Sequence, residues 1–247
     1  MGSINNIHIQ DGIGVYYQNL RSTEIHSHHA TELILSLGKE FQVLDESKCL
    51  FEGRLVYIPS NKKHLFRNEK NISPVFIFIE PFHHLAQELR VHLGNSKEIK
   101  VVDVPSSLDI NRIRERLYGS PANMRSIVFE IVFSLTGSRA KLHQVDDRIM
   151  NSIDYIKKSP RTNYKIAEVA NVVHLSESRF AHLFKDHVGI PFRKYLIWLR
   201  IQTALESILE GRSLTRSGYV AGFADLSHFS RNFKNMFGVT PSKVFKG

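Results

Sequence analysis

One segment in the C-terminal part of the chain is repeated 49 residues later. The residues that recur are Ser178, Phe180, Phe184, Lys185 and Gly189, matched by Ser227, Phe229, Phe233, Lys234 and Gly238. In each copy the two phenylalanines are four residues apart, the spacing that places side chains on one face of an α-helix. Internal similarity of this kind indicates one supersecondary unit built twice. The chain must therefore accommodate two equivalent amphipathic helices near its C-terminal end.

Each copy has the pattern of a helix-turn-helix. A short helix carrying the small Ala170 precedes the first copy, and Ser176 is placed to cap the helix that follows. In the second copy Gly222 stands where the turn needs a positive φ, and Asp225 can cap the next helix. Any amphipathic helix in a bundle has an apolar and a polar face, so one copy alone would be ambiguous. Two copies with the same caps, turn and aromatic stripe favour binding in the major groove of DNA.

The polar residues of the two predicted recognition helices are the candidate DNA contacts. They are Ser178, Arg179, Ala181, His182 and Lys185 in the first helix, and Ser227, His228, Ser230, Arg231 and Lys234 in the second. Arginine can bond guanine through two hydrogen bonds and serine can bond several base edges, whereas Lys185 and Lys234 are expected at phosphates. Of the net charge of +9, +7 lies from Asp146 onward, where 16 Lys and Arg face 9 Asp and Glu. The expected partner is therefore double-stranded DNA.

The C-terminal part of the chain resembles the DNA-binding domain of the AraC/XylS family of bacterial transcription regulators. The matching residues are "YL" at 195–196, "LR" at 199–200, Ala204, "GF" at 222–223, "SHFSRNFK" at 227–234 and "FGVTP" at 237–241. The resemblance implies a transcription regulator in which a long helix separates two recognition helices. It favours activation over repression and makes RNA polymerase a candidate partner. The chain departs from the family at Ser217 and Gly218, where a bulky aliphatic residue and alanine are usual, and both residues weaken a helix.

The first part of the chain predicts β-structure with a cluster of metal-type ligands. Three runs rich in β-branched and aromatic residues have the character of strands: "TELILSL", "GRLVYIP" and "PVFIFIE". His26, His28 and Glu32 follow the spacing H-x-H-x3-E, and His64 belongs to a second motif, G-x5-P-x4-H-x3-N. If His26 and His28 lie on one strand, they share a face with Glu32 because side chains alternate. The two motifs resemble those of a cupin, a small β-barrel.

Two roles are open for His26, His28, Glu32 and His64. In metal-binding cupins the matching side chains hold a divalent metal, and imidazoles with one carboxylate suit zinc, iron, nickel or manganese. A divalent metal is therefore the candidate cofactor. Sensor domains of the AraC/XylS family often keep part of this pattern without metal, and their histidines then line a pocket. A pocket for a small-molecule effector is the favoured interpretation of the same four residues.

The sequence predicts an α+β chain made of an N-terminal cupin-like β-barrel, a helical linker and a C-terminal all-α domain with two helix-turn-helix units. The predicted boundaries are 1–105 for the effector-sensing domain, 106–145 for the linker and 146–247 for the DNA-binding domain. In the linker, "SSLDINRIRERL" and "PANMRSIVFEIVFSL" are predicted to be helices. Helices in this position commonly pair two subunits in the resembling family, so a homodimer is expected. Packing against their own domain is the alternative.

Other classes of protein are disfavoured. No run of about 18 apolar residues exists to cross a membrane, and no secretory signal is evident, so a cytoplasmic protein without a membrane partner is expected. Cys49 is the only cysteine, so a disulfide within the chain is excluded. Two alternatives remain: a metal-dependent cupin enzyme, an oxygenase or isomerase with a helical appendage, and a DNA-binding protein without a ligand. The repeated helix-turn-helix argues against the enzyme.

Overall fold

The computed structural model describes residues 7–18, 20–69, 72–118, 124–137, 145–158 and 163–245. The chain forms two compact units. The first unit contains Met1–Leu142 together with Phe233–Gly247, and the second contains His143–Asn232. The boundary between the units therefore lies within the last long helix of the chain, whose final turn belongs to the first unit.

The first unit is built on two antiparallel sheets. Their strands are β1 (Ile7–Gln10), β2 (Ile13–Tyr17), β3 (Thr31–Leu35), β4 (Phe41–Asp45), β5 (Leu50–Gly53), β6 (Leu55–Ile58), β7 (His64–Arg67), β8 (Val75–Ile79) and β9 (Lys100–Val101). The larger sheet has the order β1-β2-β8-β3-β6-β9, and the smaller has the order β5-β4-β7. The three runs predicted as strands are confirmed as β3, β6 and β8, which are neighbours in the centre of the larger sheet.

The central strands are largely apolar, and the sheet is buried there on both of its faces. Every residue of β3 and β6 is buried. Three helices supply apolar side chains to the same core: α1 (His84–His92), α2 (Ile110–Tyr118) and α3 (Met124–Thr136). Ile127 and Ile131 of α3, for example, belong to one buried cluster with Leu33 and Tyr57. Each Å² of apolar surface that is removed from water in this way stabilises the folded state by about 25 cal/mol.

The two helices predicted after the first domain are therefore present, and one face of each packs against its own sheet. The predicted helix at 106–117 begins later, at Ile110, and the helix predicted over 121–137 is described from Met124. The opposite side of α3 carries Phe133, which is 64% exposed. Residues 138–144, near the end of the predicted linker 106–145, lie outside the described residues.

The C-terminal part is helical throughout its described length. The helices are α4 (Asp147–Lys158), α5 (Ile166–Val172), α6 (Glu177–Val188), α7 (Phe192–Leu209), α8 (Leu214–Val220), α9 (Leu226–Phe237) and α10 (Pro241–Phe245). Two helix-turn-helix units, α5 with α6 and α8 with α9, are joined by α7, whose 18 residues span about 27 Å. Among the described residues, no helix combines the length and apolar character needed to span a bilayer.

The local turn chemistry predicted for both units is confirmed. The hydroxyl of Ser176 accepts a hydrogen bond from the backbone amide of Arg179, and the carboxylate of Asp225 accepts one from the amide of His228 at 2.6 Å. Gly222 adopts φ +80°, as the second turn requires. Caps of this type stabilise a helix by about 1 kcal/mol each, so both recognition helices begin at a fixed residue.

Ser217 and Gly218 are the buried residues of α8 in the second helix-turn-helix. The hydroxyl of Ser217 has no hydrogen-bond partner among the described residues, and no part of the side chain meets water. A Cβ atom on Gly218 would lie 3.4 Å from the Cβ of Phe229. This distance is at the near limit of ordinary van der Waals contact, so α8 does not need glycine here to pack on Phe229, although glycine lowers helix propensity.

Ser217→Ala is expected to raise the free energy of unfolding of the second unit by about 1 kcal/mol, because it removes a buried hydroxyl without a partner and improves helix propensity. Denaturant unfolding of the full chain measures the change. Ser230→Ala is the matched control, since this serine lies inside α9 but is only half-buried. Equal gains in the two variants would show that helix propensity alone is responsible.

Candidate functional site

Three histidines and one glutamate that are separated in sequence meet in the first unit. His26 and His28 lie in the segment before β3, Glu32 lies in β3, and His64 is the first residue of β7. One ring nitrogen from each histidine lies within 4.8 Å of the others. The four side chains are between 1% and 7% exposed. The structure thus brings together the four residues singled out from the two sequence motifs, here named the histidine cluster.

The backbone around His26 differs from the regular strand expected from the sequence. His26 makes an isolated antiparallel bridge to His64, with both N–H···O distances at 2.9 Å, and β3 begins only at Thr31. His26 and His28 therefore approach Glu32 because of this bridge and a bend before β3, and not because side chains alternate along one strand.

Each ring of the histidine cluster is oriented by a backbone carbonyl. The Nδ1 atoms of His26, His28 and His64 each lie 2.9 Å from a carbonyl oxygen, those of Glu24, Ala30 and Lys62 respectively. A carbonyl oxygen only accepts hydrogen bonds, so each Nδ1 carries a proton. The Nε2 atom of each neutral ring then carries no proton and has a lone pair that can bind a metal ion. Such backbone contacts to Nδ1–H are the usual means of orienting a histidine that binds metal through Nε2.

The carboxylate of Glu32 lies against two of these ring nitrogens. One of its carboxylate oxygens, Oε2, lies 3.1 Å from Nε2 of His28 and 3.1 Å from Nε2 of His64. With neutral rings protonated on Nδ1, two nitrogen lone pairs would face a carboxylate oxygen at hydrogen-bond distance, which is repulsive. A proton on Nε2 or a metal ion between these atoms converts the repulsion into attraction. The donor set, three imidazoles and one carboxylate, fits a divalent transition metal.

Burial and the contacts within the histidine cluster shift the pKa values of Glu32 and His26. Burial disfavours the charged form of Glu32, yet its hydrogen bonds and charge interactions with His28 and His64 together outweigh this and lower the pKa of the carboxyl. Burial, followed by the charges of His64 and His28, lowers the pKa of His26 well below its ordinary value. The cluster thus holds a carboxyl whose pKa is lowered by its two imidazole partners, beside His26, whose pKa is lowered mainly by burial.

The predicted DNA contacts of the first helix-turn-helix lie mainly on the exposed side of α6. Ser178, Arg179, His182 and Lys185 are exposed and Ala181 is half-buried. Four of the five follow the spacing i, i+3, i+4, i+7, so they form one stripe along the helix. The opposite side buries Phe180, Leu183, Phe184 and Val188. His182 donates from Nδ1 to the carbonyl of Ser178 at 2.8 Å, so its Nε2 can accept a hydrogen bond from a base edge.

The corresponding residues of α9 are less uniformly placed. Ser227 and Arg231 are exposed, whereas His228, Ser230 and Lys234 are half-buried. The His228 ring packs edge-on against Phe223 at 5.3 Å, so this side chain lies on the flank of the helix. The Lys234 ammonium is 2.7 Å from the carboxylate of Glu24. No sequence signal pointed to Glu24, because the pair joins residues far apart in the chain.

Comparison with known proteins agrees with the helical repeat. Residues 169–247 match a helix-turn-helix domain family of AraC type. The chain is 25% identical over 230 residues to the probable transcriptional regulator LumQ of Photobacterium leiognathi, covering 90% of this chain and 92% of that protein. Crystal structures of ToxT from Vibrio cholerae strain SCE256 share the fold at 16% identity. The apo form of a single-substitution variant has a TM-score of 0.64 over 96% of this chain and 98% of that one. A wild-type form bound to an unsaturated fatty acid has a TM-score of 0.59 over 96% of this chain and 97% of that one.

The fold and the repeated unit therefore define a DNA-binding transcriptional regulator. The chain carries an AraC-type helix-turn-helix domain and is homologous to transcriptional regulators. Its relatives are regulators and not enzymes, so the alternative of a cupin oxygenase or isomerase is set aside. The α+β architecture, with N-terminal sheets and a C-terminal domain containing two helix-turn-helix units, is confirmed.

Proposed function

We propose that this protein regulates transcription by reading two adjacent major-groove segments with α6 and α9, in response to an effector bound by the N-terminal sheets. The observation that carries the proposal is the matched spacing on the two helices. Ser178 and Lys185 delimit an exposed stripe on α6. Ser227 and Lys234 occupy the corresponding positions of α9, where Lys234 pairs with Glu24. Each helix follows a short capped turn, which is how a recognition helix is presented to DNA.

The proposed effector site is the histidine cluster, and the proposed ligand is a divalent transition metal. The converging Nε2 atoms and the Glu32 carboxylate would hold the ion, with the backbone carbonyls at Nδ1 maintaining the ring orientations. The ion would supply the positive charge that this buried set of acceptors needs. A carboxylic acid is the alternative effector, since a structure of ToxT contains an unsaturated fatty acid. The alternative gains no support from the cluster, whose groups other than protonated histidine are acceptors.

The proposal extends to assembly and to the direction of regulation. The exposed Phe133 on α3 supports a homodimer formed through this helix. Two subunits would double the DNA contacts and raise the affinity for a pair of sites. Activation through contact with RNA polymerase in the cytoplasm is the regulatory mode proposed, as for the resembling family.

The experiment that tests the DNA-binding function is selection of bound sequences from a random duplex pool, with the purified full chain at a stated salt concentration, in the presence and absence of Zn²⁺. We expect a motif with two half-sites about 34 Å apart, one turn of B-DNA. A single short half-site would mean that only one recognition helix reads bases. No enrichment in either condition would contradict the proposal.

Arg231→Ala is expected to weaken binding to the selected site by about 1–3 kcal/mol and to relax specificity at one base pair, because arginine bonds a guanine edge with two hydrogen bonds. Binding to the selected site and to single-base variants measures the change. Lys185→Ala is the contrasting variant and should weaken all sequences alike, as expected of a phosphate contact. Uniform weakening by Arg231→Ala would place Arg231 on the backbone instead.

A further inference from the structure

The last turn of α9 and the residues after it pack on the histidine cluster. Residues 233–247 belong to the same compact unit as the sheets. The ring of Phe237 lies 5.5 Å from that of Phe78 and 6.4 Å from that of His28, while Phe78 and His28 are 5.1 Å apart. Phe237 follows Phe229 and Phe233 at the same four-residue spacing along α9. It is only half-buried and also covers one side of the cluster.

Gly238 lies tightly against the segment that contains Thr23, Glu24 and His26. It adopts φ +66°, and a Cβ atom at this position would lie 2.5 Å from the carbonyl oxygen of Glu24, 2.7 Å from Nδ1 of His26 and 2.7 Å from the Cβ of Thr23. Both the backbone conformation and the space therefore require glycine. The equivalent Gly189 has φ +87° and is the C-cap of α6.

One residue, Glu24, links Gly238 to His26 of the histidine cluster. The amide of Glu24 donates to the carbonyl of Gly238 at 2.8 Å, and the carbonyl of Glu24 accepts from Nδ1 of His26 at 2.9 Å. The side chain of the same residue holds Lys234 at 2.7 Å. Glu24 thus orients the His26 ring while being bound on two sides by the end of α9.

From these contacts we infer that the last turn of α9 completes the effector site, with Gly238 and Phe237 as positioning residues, and that binding at the histidine cluster is coupled to docking of residues 233–238. The inference rests on the proposed effector role of the cluster. A docked turn keeps the Nε2 atom of His26 directed at the ligand, so it raises ligand affinity. By reciprocity the ligand holds the turn in place. The effector thereby acts on the helix that carries Ser227 and Arg231.

The first test is titration of the full chain with Zn²⁺, followed by calorimetry. Gly238→Ala should lower the affinity about tenfold, within the range typical of coupled sites. Gly94→Ala is the matched control, because Gly94 has φ +71° in the same unit but nothing within 4 Å of an added Cβ. Its affinity should be unchanged. Phe237→Ala, which imposes no backbone strain, should lower the affinity in the same direction. Wild-type affinity in both Gly238→Ala and Phe237→Ala would overturn the inference.

The second test is amide hydrogen exchange, which reports docking directly. Zn²⁺ should slow exchange in residues 233–240 of the wild-type chain and leave it unchanged in His64→Ala. In the metal-free protein, His26→Ala should accelerate exchange of the Glu24 amide and of residues 236–240, whereas His92→Ala, at an exposed histidine, should not. No acceleration in His26→Ala would overturn the coupling. Failure of the wild type to bind Zn²⁺ would instead reject the proposed metal, and the metal-free comparison would still decide the coupling.

Discussion

Replacing Phe184 by alanine is expected to remove about 3–5 kcal/mol from the stability of the second unit. Phe184 is fully buried in α6, and its ring centroid lies 5.4 Å from each of the rings of Phe180, Phe192 and Tyr195. The substitution leaves a cavity at the centre of these contacts. Since a domain is stable by only about 5–15 kcal/mol, the first helix-turn-helix would be close to unfolding.

Denaturant unfolding followed by circular dichroism measures this loss. Val172→Ala is the matched control, because Val172 ends α5 in the same unit but is 42% exposed, and its truncation should change stability by less than about 0.5 kcal/mol. DNA binding should fall in the Phe184 variant and not in the control. A loss below about 1 kcal/mol for Phe184→Ala would show that the aromatic cluster is not what holds α6.

His64→Ala is expected to lower the affinity of the full chain for Zn²⁺ by more than about 100-fold, a larger effect than removal of an outer-shell partner usually has. His64 contributes an Nε2 atom to the convergent set and is one of the two histidines that contact the Glu32 carboxylate. Its removal leaves the buried carboxylate with less compensation, so the first unit should also lose stability.

Calorimetric titration and thermal unfolding with and without Zn²⁺ measure both effects. In the wild type, Zn²⁺ should raise the unfolding temperature because it binds the folded state. His92→Ala is the control for adventitious zinc binding, since His92 is an exposed imidazole outside the cluster. If the two variants bound Zn²⁺ equally well, the ion would be bound elsewhere and the histidine cluster would lose its assignment as a metal site.

The two helix-turn-helix units were predictable from the sequence because their signals are local. The cap of α6 depends on Ser176 and the amide three residues later, and the turn before α9 depends on the positive φ of Gly222. The runs rich in β-branched and aromatic residues also predicted the strands β3, β6 and β8. His174, which stands in the first turn at φ +55°, shows that a non-glycine residue can occupy such a place.

The composition of the histidine cluster was predictable, but the way in which the backbone assembles it was not. The spacing of His26, His28 and Glu32 indicated one strand with alternating side chains. The bridge between His26 and His64 instead forms outside the regular ladders. The protonation of each ring on Nδ1 follows from carbonyl groups whose positions depend on that bridge and on the local bends.

The two capped recognition helices and the members of the histidine cluster were predictable, because periodicity, capping and motif spacing each involve a short segment of the chain. The contacts of Glu24 with Gly238 and Lys234, and of Phe237 with His28, exist only in the folded chain. Contacts of this kind join distant segments, and no local preference specifies them. They arise from the packing of the last turn of α9 within the first unit, where burial of Phe237 and the backbone hydrogen bond to Glu24 favour the observed arrangement.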